Sequence, residues 1–378
     1  MKLNNRLNKI GDYGFTKIQS ECQSLLNLGV GDPDLKVHPN ILRALIKALE
    51  EENFNKYPIG SGSTFLKDAV IRYYQDKYNV DLTREEVIIL LGSKDGISKI
   101  FGCCCDHGDT AIIPGLGYPV YSSICKIWGL DEYQLPLMEK NNYLPVLENI
   151  PEIFCRESKL FMINYPNNPT GAVADSWFYR DIVKYCSKYD IILCNDGAYN
   201  EIVDENTRAV SLLQYDNSKN SVEFGTFSKI YNMCGFRIGY AVGNKYVIKL
   251  LEKLKDNCDS GQFRPIQRAA EEALKLDDAY KKGINMVYDQ RRKLVKSILK
   301  IKNLNFYDGK GTFYIWCKVP VSYTTDEFCI ELAEKYGIIT TPGYYFGNSA
   351  QGFFRISLTQ NSEKLEAYLN KLKVYNIN

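Results

Sequence analysis

Histidine is nearly absent: His38 and His107 are the only two among 378 residues. With so few imidazoles, and cysteines scattered rather than set at ligand spacing, no zinc or other metal site is expected. No apolar run reaches the roughly 20 residues that cross a bilayer. The opening Met1-Lys2-Leu3-Asn4-Asn5 has no apolar stretch of a signal peptide. A charge excess is missing too. The formal net charge of +2 offers no basic field for nucleic acid or acidic lipid. Repeats, low-complexity tracts and disordered linkers do not stand out. Cysteine is plentiful, at 12, and includes the run Cys103-Cys104-Cys105. In so long a chain these read as buried, reduced thiols of a cytoplasmic enzyme, not as a disulfide scaffold.

What is present is ordinary globular material, 45% hydrophobic and 24% charged, long enough for two domains. Short apolar runs alternate with amphipathic stretches. Glu86 to Leu91, Thr110 to Ile113, Lys159 to Asn164 and Ile191 to Cys194 read as buried strands. Helices are expected from Lys94, after Tyr118, and from Trp177 to Lys188. Continuous apolar strands between helices predict an α/β fold with a mostly parallel sheet covered on both faces, whose ligands collect at the carboxyl ends of the strands. After about residue 276 the pattern changes. A long charged helix from Asp278 to Lys300 leads to runs at Asn303 to Tyr307, Thr312 to Val319 and Phe353 to Leu358. These read as a smaller α+β domain.

Three segments carry the chemistry. Lys229 lies in Thr226-Phe227-Ser228-Lys229-Ile230-Tyr231-Asn232-Met233-Cys234-Gly235-Phe236-Arg237, eight residues before an arginine and among hydroxyl side chains. That suits an amine forming a Schiff base beside a bound phosphate. Asn164-Tyr165-Pro166-Asn167-Asn168-Pro169-Thr170-Gly171 is, alone, only a good turn sequence. Asn195-Asp196-Gly197-Ala198-Tyr199 ends a strand on a carboxylate that is costly to bury unpaired. In this order and spacing they resemble the pyridoxal-phosphate (PLP) aminotransferases of fold type I.

That resemblance implies a large domain over 42–276, with a mostly parallel sheet of seven strands flanked by helices. It also implies a small α+β domain built from both chain ends, 1–41 and 277–378. Lys229 would tether the cofactor and then shuttle a proton. Asp196 would hold the proton on the ring nitrogen, and Tyr199 and Asn168 would reach the phenolic oxygen. Arg237, Thr226, Ser228, and Ser93 and Lys94 at a strand-to-helix junction would serve the phosphate. Tyr118 would stack on the ring. Arg355, flanked by apolar neighbours, must find an anion, which in the family is the substrate carboxylate. Gly31, in Leu28-Gly29-Val30-Gly31-Asp32-Pro33, belongs to a loop at the mouth of the site, and Asn168 also touches substrate. Tyr57 matches a tyrosine that reaches the phosphate of the neighbouring subunit, which makes a homodimer the expected assembly.

Several stretches are similar to the LL-diaminopimelate aminotransferase branch: 28–35, 163–173, 195–202, 228–243, Asp259-Ser260-Gly261-Gln262-Phe263 and Gly311-Thr312-Phe313-Tyr314-Ile315-Trp316. Tyr13 and Phe15 match aromatics that line that branch's substrate pocket. Two positions depart. No acid lies between Tyr57 and Leu66, where Ser61 precedes Gly62, and Gln262 replaces a smaller apolar residue. The expected activity is ping-pong transfer from an L-amino acid to a 2-oxo acid, with LL-diaminopimelate and 2-oxoglutarate the first pair to consider. An aspartate, aromatic, alanine or other dibasic donor stays open, as does a lyase, decarboxylase or oxidase on the same scaffold. A DNA-binding regulator is not expected, because about thirty residues before Gly29 fall short of an ordinary domain.

Overall fold

In the computed structural model, which describes residues 5–10 and 26–375, seven strands form one sheet. Their spatial order is Val87–Leu90, Gly239–Gly243, Ser221–Thr226, Ile192–Asp196, Ser158–Ile163, Thr110–Pro114, Asp131–Leu135. Gly239–Gly243 runs antiparallel to both neighbours, and the remaining pairs are parallel. The inner parallel strands are largely apolar on both faces because helices cover both. Along Ser158–Ile163, Leu160 and Met162 enter one cluster with Ile88 and Phe224, and Phe161 and Ile163 enter the other with Leu193 and Tyr179. Asp131–Leu135 is the polar edge, and its exposed Asp131 discourages pairing with another chain.

Helices Ser93–Cys104, Val120–Trp128, Ser176–Tyr189 and Lys245–Asp256 flank this sheet. Asp175 caps the third by accepting from the Phe178 amide at 2.8 Å. Within the sheet, Glu223 is fully buried on the face opposite Val222 and Phe224. Its carboxylate accepts from Tyr74 Oη at 2.9 Å, Ser211 Oγ at 2.7 Å, Leu212 N at 3.0 Å and Asn195 Nδ2 at 3.1 Å. Four donors satisfy a charge that would otherwise be expensive to bury.

The 24-residue helix Asp278–Ile301 leads into an antiparallel sheet ordered Thr341–Pro342, Phe353–Ser357, Tyr314–Lys318. Leu26–Asn27 pairs in parallel with Ile338–Ile339, and the Ser357 amide donates to the Leu28 carbonyl at 2.8 Å. The early segment is thereby stitched to late strands. The run Asn303 to Tyr307 pairs with this sheet through a bridge, Phe306 to Cys317, flanked by the Lys318 amide donating to the Asn305 carbonyl at 2.8 Å and the Tyr307 amide to the Trp316 carbonyl at 2.9 Å.

Candidate active site

The carboxyl ends of five strands open on one cavity of about 390 Å³. After Leu90 come Gly92, Ser93 and Lys94. After Pro114 comes Tyr118, after Ile163 come Asn164 and Asn168, and Asp196 and Thr226 end their own strands. This is where the crossovers of a parallel sheet leave a crevice. The structure brings Gly31, Ser93, Lys94, Tyr118, Asn168 and Asp196 together there with Tyr199, Thr226, Ser228, Lys229, Arg237 and Arg355. It does not bring in Tyr57, which stands 91% exposed outside the cavity. Tyr13 and Phe15 lie outside the described residues.

Lys229 sits on the turn after Ser221–Thr226, and its Nζ donates to the Gly31 carbonyl at 2.9 Å. The same nitrogen lies 6.0 Å from the Tyr199 ring centre and 5.8 Å from that of Phe313. Asp196 is buried, and burial pushes its carboxyl up to about 6. The pull in the other direction comes first from Tyr121, whose hydroxyl donates to Asp196 Oδ2 at 2.7 Å, then from the Ala198 amide and the charge of Lys229. The Asp196 carbonyl accepts from Asn164 Nδ2 at 2.7 Å, and the Asn164 side-chain oxygen accepts from the Asn168 amide at 3.0 Å. The Asn-Pro turn is thus tied to the strand that carries the carboxylate.

Arg355 is 2% exposed. Its Nη1 donates to Asn168 Oδ1 at 2.7 Å and its Nη2 to the Gly29 carbonyl at 2.6 Å. The guanidinium lies 3.9 Å over the Tyr314 ring and 4.6 Å from that of Phe346. Tyr199 and Tyr314 hydroxyls are 3.0 Å apart. At the opposite wall, Gly92 has φ +95° and a Cβ there would sit 3.1 Å from Arg237 Nη2. Arg237 itself is left-handed, at φ 53°, and donates to the Cys234 carbonyl at 2.8 Å. The Thr226 and Ser228 hydroxyls lie 3.0 Å apart. Burial, then the nearby Arg237 charge, pulls Lys94 below the usual lysine range.

These donors fit PLP from end to end. The amide-bearing start of helix Ser93–Cys104, two hydroxyls and Arg237 suit a phosphate dianion. A buried carboxylate suits a pyridinium, and a primary amine suits an aldehyde.

Sequence reasoning gave Tyr121, Asn164 and Tyr314 no part in the site. Tyr121 follows Tyr118 by three residues, the spacing of one helix face, and that was the available signal. Tyr314 carries no such signal, since strand alternation says only that it faces away from Ile315.

The sequence model for "Aminotransferase class I and II" matches residues 23–372. The chain is similar to an LL-diaminopimelate aminotransferase of Moorella thermoacetica, with 37% identity over 377 residues covering 97% of each chain. A second, of Aquifex aeolicus, is 39% identical over 381 residues and 98% of each. Among solved structures, an aminotransferase from Staphylococcus aureus superposes with a TM-score of 0.94 at 30% identity, over 99% of this chain and 100% of that one. Fold and site define a PLP-dependent transferase of fold type I. More narrowly, the chain belongs to the class I and II aminotransferases, enzymes that carry an amino group between an amino acid and a 2-oxo acid.

Proposed function

We propose that this aminotransferase takes its amino group from LL-diaminopimelate and delivers it to 2-oxoglutarate by a ping-pong mechanism. The observation that carries the reading is the burial of Arg355 in the cavity that also holds Lys229, since both proposed substrates bring a carboxylate beside the reacting carbon. Full-length similarity to enzymes named LL-diaminopimelate aminotransferases supports the donor.

When bound, PLP supplies the electron sink for the bond broken at the substrate's α carbon. Arg355 would hold the substrate carboxylate, and its bond to Asn168 fixes the guanidinium in the cavity. Lys229 Nζ takes the proton from the α carbon and returns it on the other side of the reaction. Asp196 would keep the cofactor's ring-nitrogen proton in place, with Tyr121 holding the carboxylate's orientation. Tyr199 and Asn168 would serve the cofactor's phenolic oxygen, and Tyr118 would cover its ring. Ser93, Lys94, Thr226, Ser228 and Arg237 would hold its phosphate. Gly31 lets the loop at the mouth approach closely, because a Cβ there would lie 1.7 Å from the Tyr314 hydroxyl.

A donor without a distal ammonium is the second reading, favoured by the absence of any acid from Tyr57 to Leu66. Single-turnover reactions with LL-diaminopimelate, lysine, aspartate, alanine, glutamate and the aromatic amino acids, scored by the change in cofactor absorbance, separate the two. Rapid conversion by LL-diaminopimelate and glutamate is expected. Conversion by another donor with LL-diaminopimelate inert would overturn the first reading.

The working assembly in this proposal is a cytoplasmic homodimer. Tyr57 and Ile59 stand 91% and 59% exposed, two large side chains that a second copy would cover. Eleven cysteines among the described residues are free thiols, in keeping with a reducing compartment. No described helix is long and apolar enough to cross a membrane. The division into 1–41 with 277–378 and 42–276 accords with the seven-stranded sheet lying within 87–243.

A further inference from the structure

Tyr314 touches three parts of the cavity at once. It is 4% exposed and opens the strand Tyr314–Lys318. Its ring lies 3.9 Å beneath the Arg355 guanidinium. Its hydroxyl is 3.0 Å from that of Tyr199. It also lies so close to Gly31 that no side chain fits between them, and the Gly31 carbonyl is the acceptor for Lys229 Nζ. The position is held from behind. The Tyr314 amide donates to Thr312 Oγ1 at 3.1 Å, and the Thr312 carbonyl accepts from the buried Arg292 at 2.7 Å. Opposite it in the ladder stands Ser357, two residues from Arg355 on the same strand.

A phenol has one proton to give. If Tyr199 spends its proton on Tyr314, it has none for a group in the cavity. If Tyr314 donates instead, Tyr199 is left as an outward donor, and a hydroxyl that accepts one hydrogen bond gives a stronger one. The ring of the same residue supports the cation that meets the substrate's carboxylate.

We propose that Tyr314 is a positioning residue that turns the Tyr199 hydroxyl toward the cofactor's phenolic oxygen while its ring levels Arg355 for the substrate. This rests on the cofactor and carboxylate roles argued above. It links the two ends of the site through one side chain.

The test uses the holoenzyme, with Tyr314→Phe, Tyr199→Phe, the double variant and Tyr314→Leu. Two readouts are taken: the pH midpoint of the bound cofactor's visible absorbance change, and kcat with KM for each amino donor that turns over. Tyr314→Phe keeps the ring and loses the hydroxyl. It should raise the midpoint and lower kcat by about threefold or more, with KM nearly unchanged. In the Tyr199→Phe background the same change should add nothing to the midpoint, because the relay is already cut. Tyr314→Leu should raise KM about tenfold besides, the loss expected for a desolvated cation–π contact. An unmoved midpoint in Tyr314→Phe overturns the proposal, and so does an equal shift in both backgrounds. If Tyr314→Leu does not fold, the two phenylalanine variants decide alone. Because the midpoint is read without substrate, its failure is distinct from a wrong choice of amino donor, which shows in the turnover screen of the unmodified enzyme.

Discussion

Arg355 and Asn168 are joined by a 2.7 Å hydrogen bond across 187 positions of sequence, and that bond spans the three-stranded sheet and the turn that follows Ile163. The guanidinium therefore reports on both sides of the cavity. Replacing Arg355 with Ala removes the cation and leaves Asn168 Oδ1 and the Gly29 carbonyl without this donor. KM for the amino donor should rise about 10- to 100-fold, with a smaller fall in kcat, as expected for losing a charge-assisted pair. Steady-state kinetics with donor varied check this. An unchanged KM would remove Arg355 from carboxylate binding.

Lys229→Ala should lower turnover by at least about 10²–10⁴-fold, the range for removing a general acid–base group. It should also abolish the mass adduct left at position 229 when holoenzyme is reduced with borohydride and digested. A persisting adduct on another peptide would relocate the tether.

Asp196 gives a pH-dependent signature in the cofactor-free protein. Its carboxyl is raised from an ordinary 3.8 to about 6 by burial. Between these values the folded state binds more protons than the unfolded one, so this group's contribution falls as pH rises through that window. The penalty is absent below about 4 and complete above about 6, where it is roughly 3 kcal/mol. Asp196→Asn should therefore gain in Tm relative to the unmodified protein from pH 4 to pH 6 and then hold a constant lead. Parallel melting curves at all pH values would contradict the buried, ionised carboxylate. In the loaded enzyme the same variant should slow α-proton removal by orders of magnitude, seen as loss of exchange of the substrate α hydrogen with solvent.

Tyr57 tests the proposed sharing of the site between two chains. Tyr57→Ala should be impaired, and mixing it with inactive Lys229→Ala chains should restore up to about a quarter of the activity, because half of randomly formed pairs hold one intact site. No recovery after verified exchange of chains would show that Tyr57 does not serve its neighbour.

Much of the site was legible because its chemistry is written in short stretches at strand ends. Ser93 follows a legible apolar strand, Asp196 ends one, and Lys229 is marked by standing eight residues before Arg237. The buried strands near Leu90, Ile113, Ile163 and Cys194 were legible too, as unbroken apolar runs. Three strands were not. Asp131–Leu135 is a polar edge with no apolar run, Gly239–Gly243 is bounded by glycines, and Ser221–Thr226 is interrupted by Glu223. Each is specified by its neighbours in the sheet and not by its own pattern. Tyr121 and Tyr314 were hidden for a similar reason: a tyrosine in an apolar stretch reads as core, and only tertiary contact shows which hydroxyl meets a partner.

Glu223 has a consequence for catalysis although it faces away from the cavity. A slip of one position along Ser221–Thr226 would turn its carboxylate from four waiting donors into the oily layer around Phe224. The charge acts as a key that admits a single alignment, and Lys229, the proposed reactive lysine six residues downstream, inherits its address from that lock.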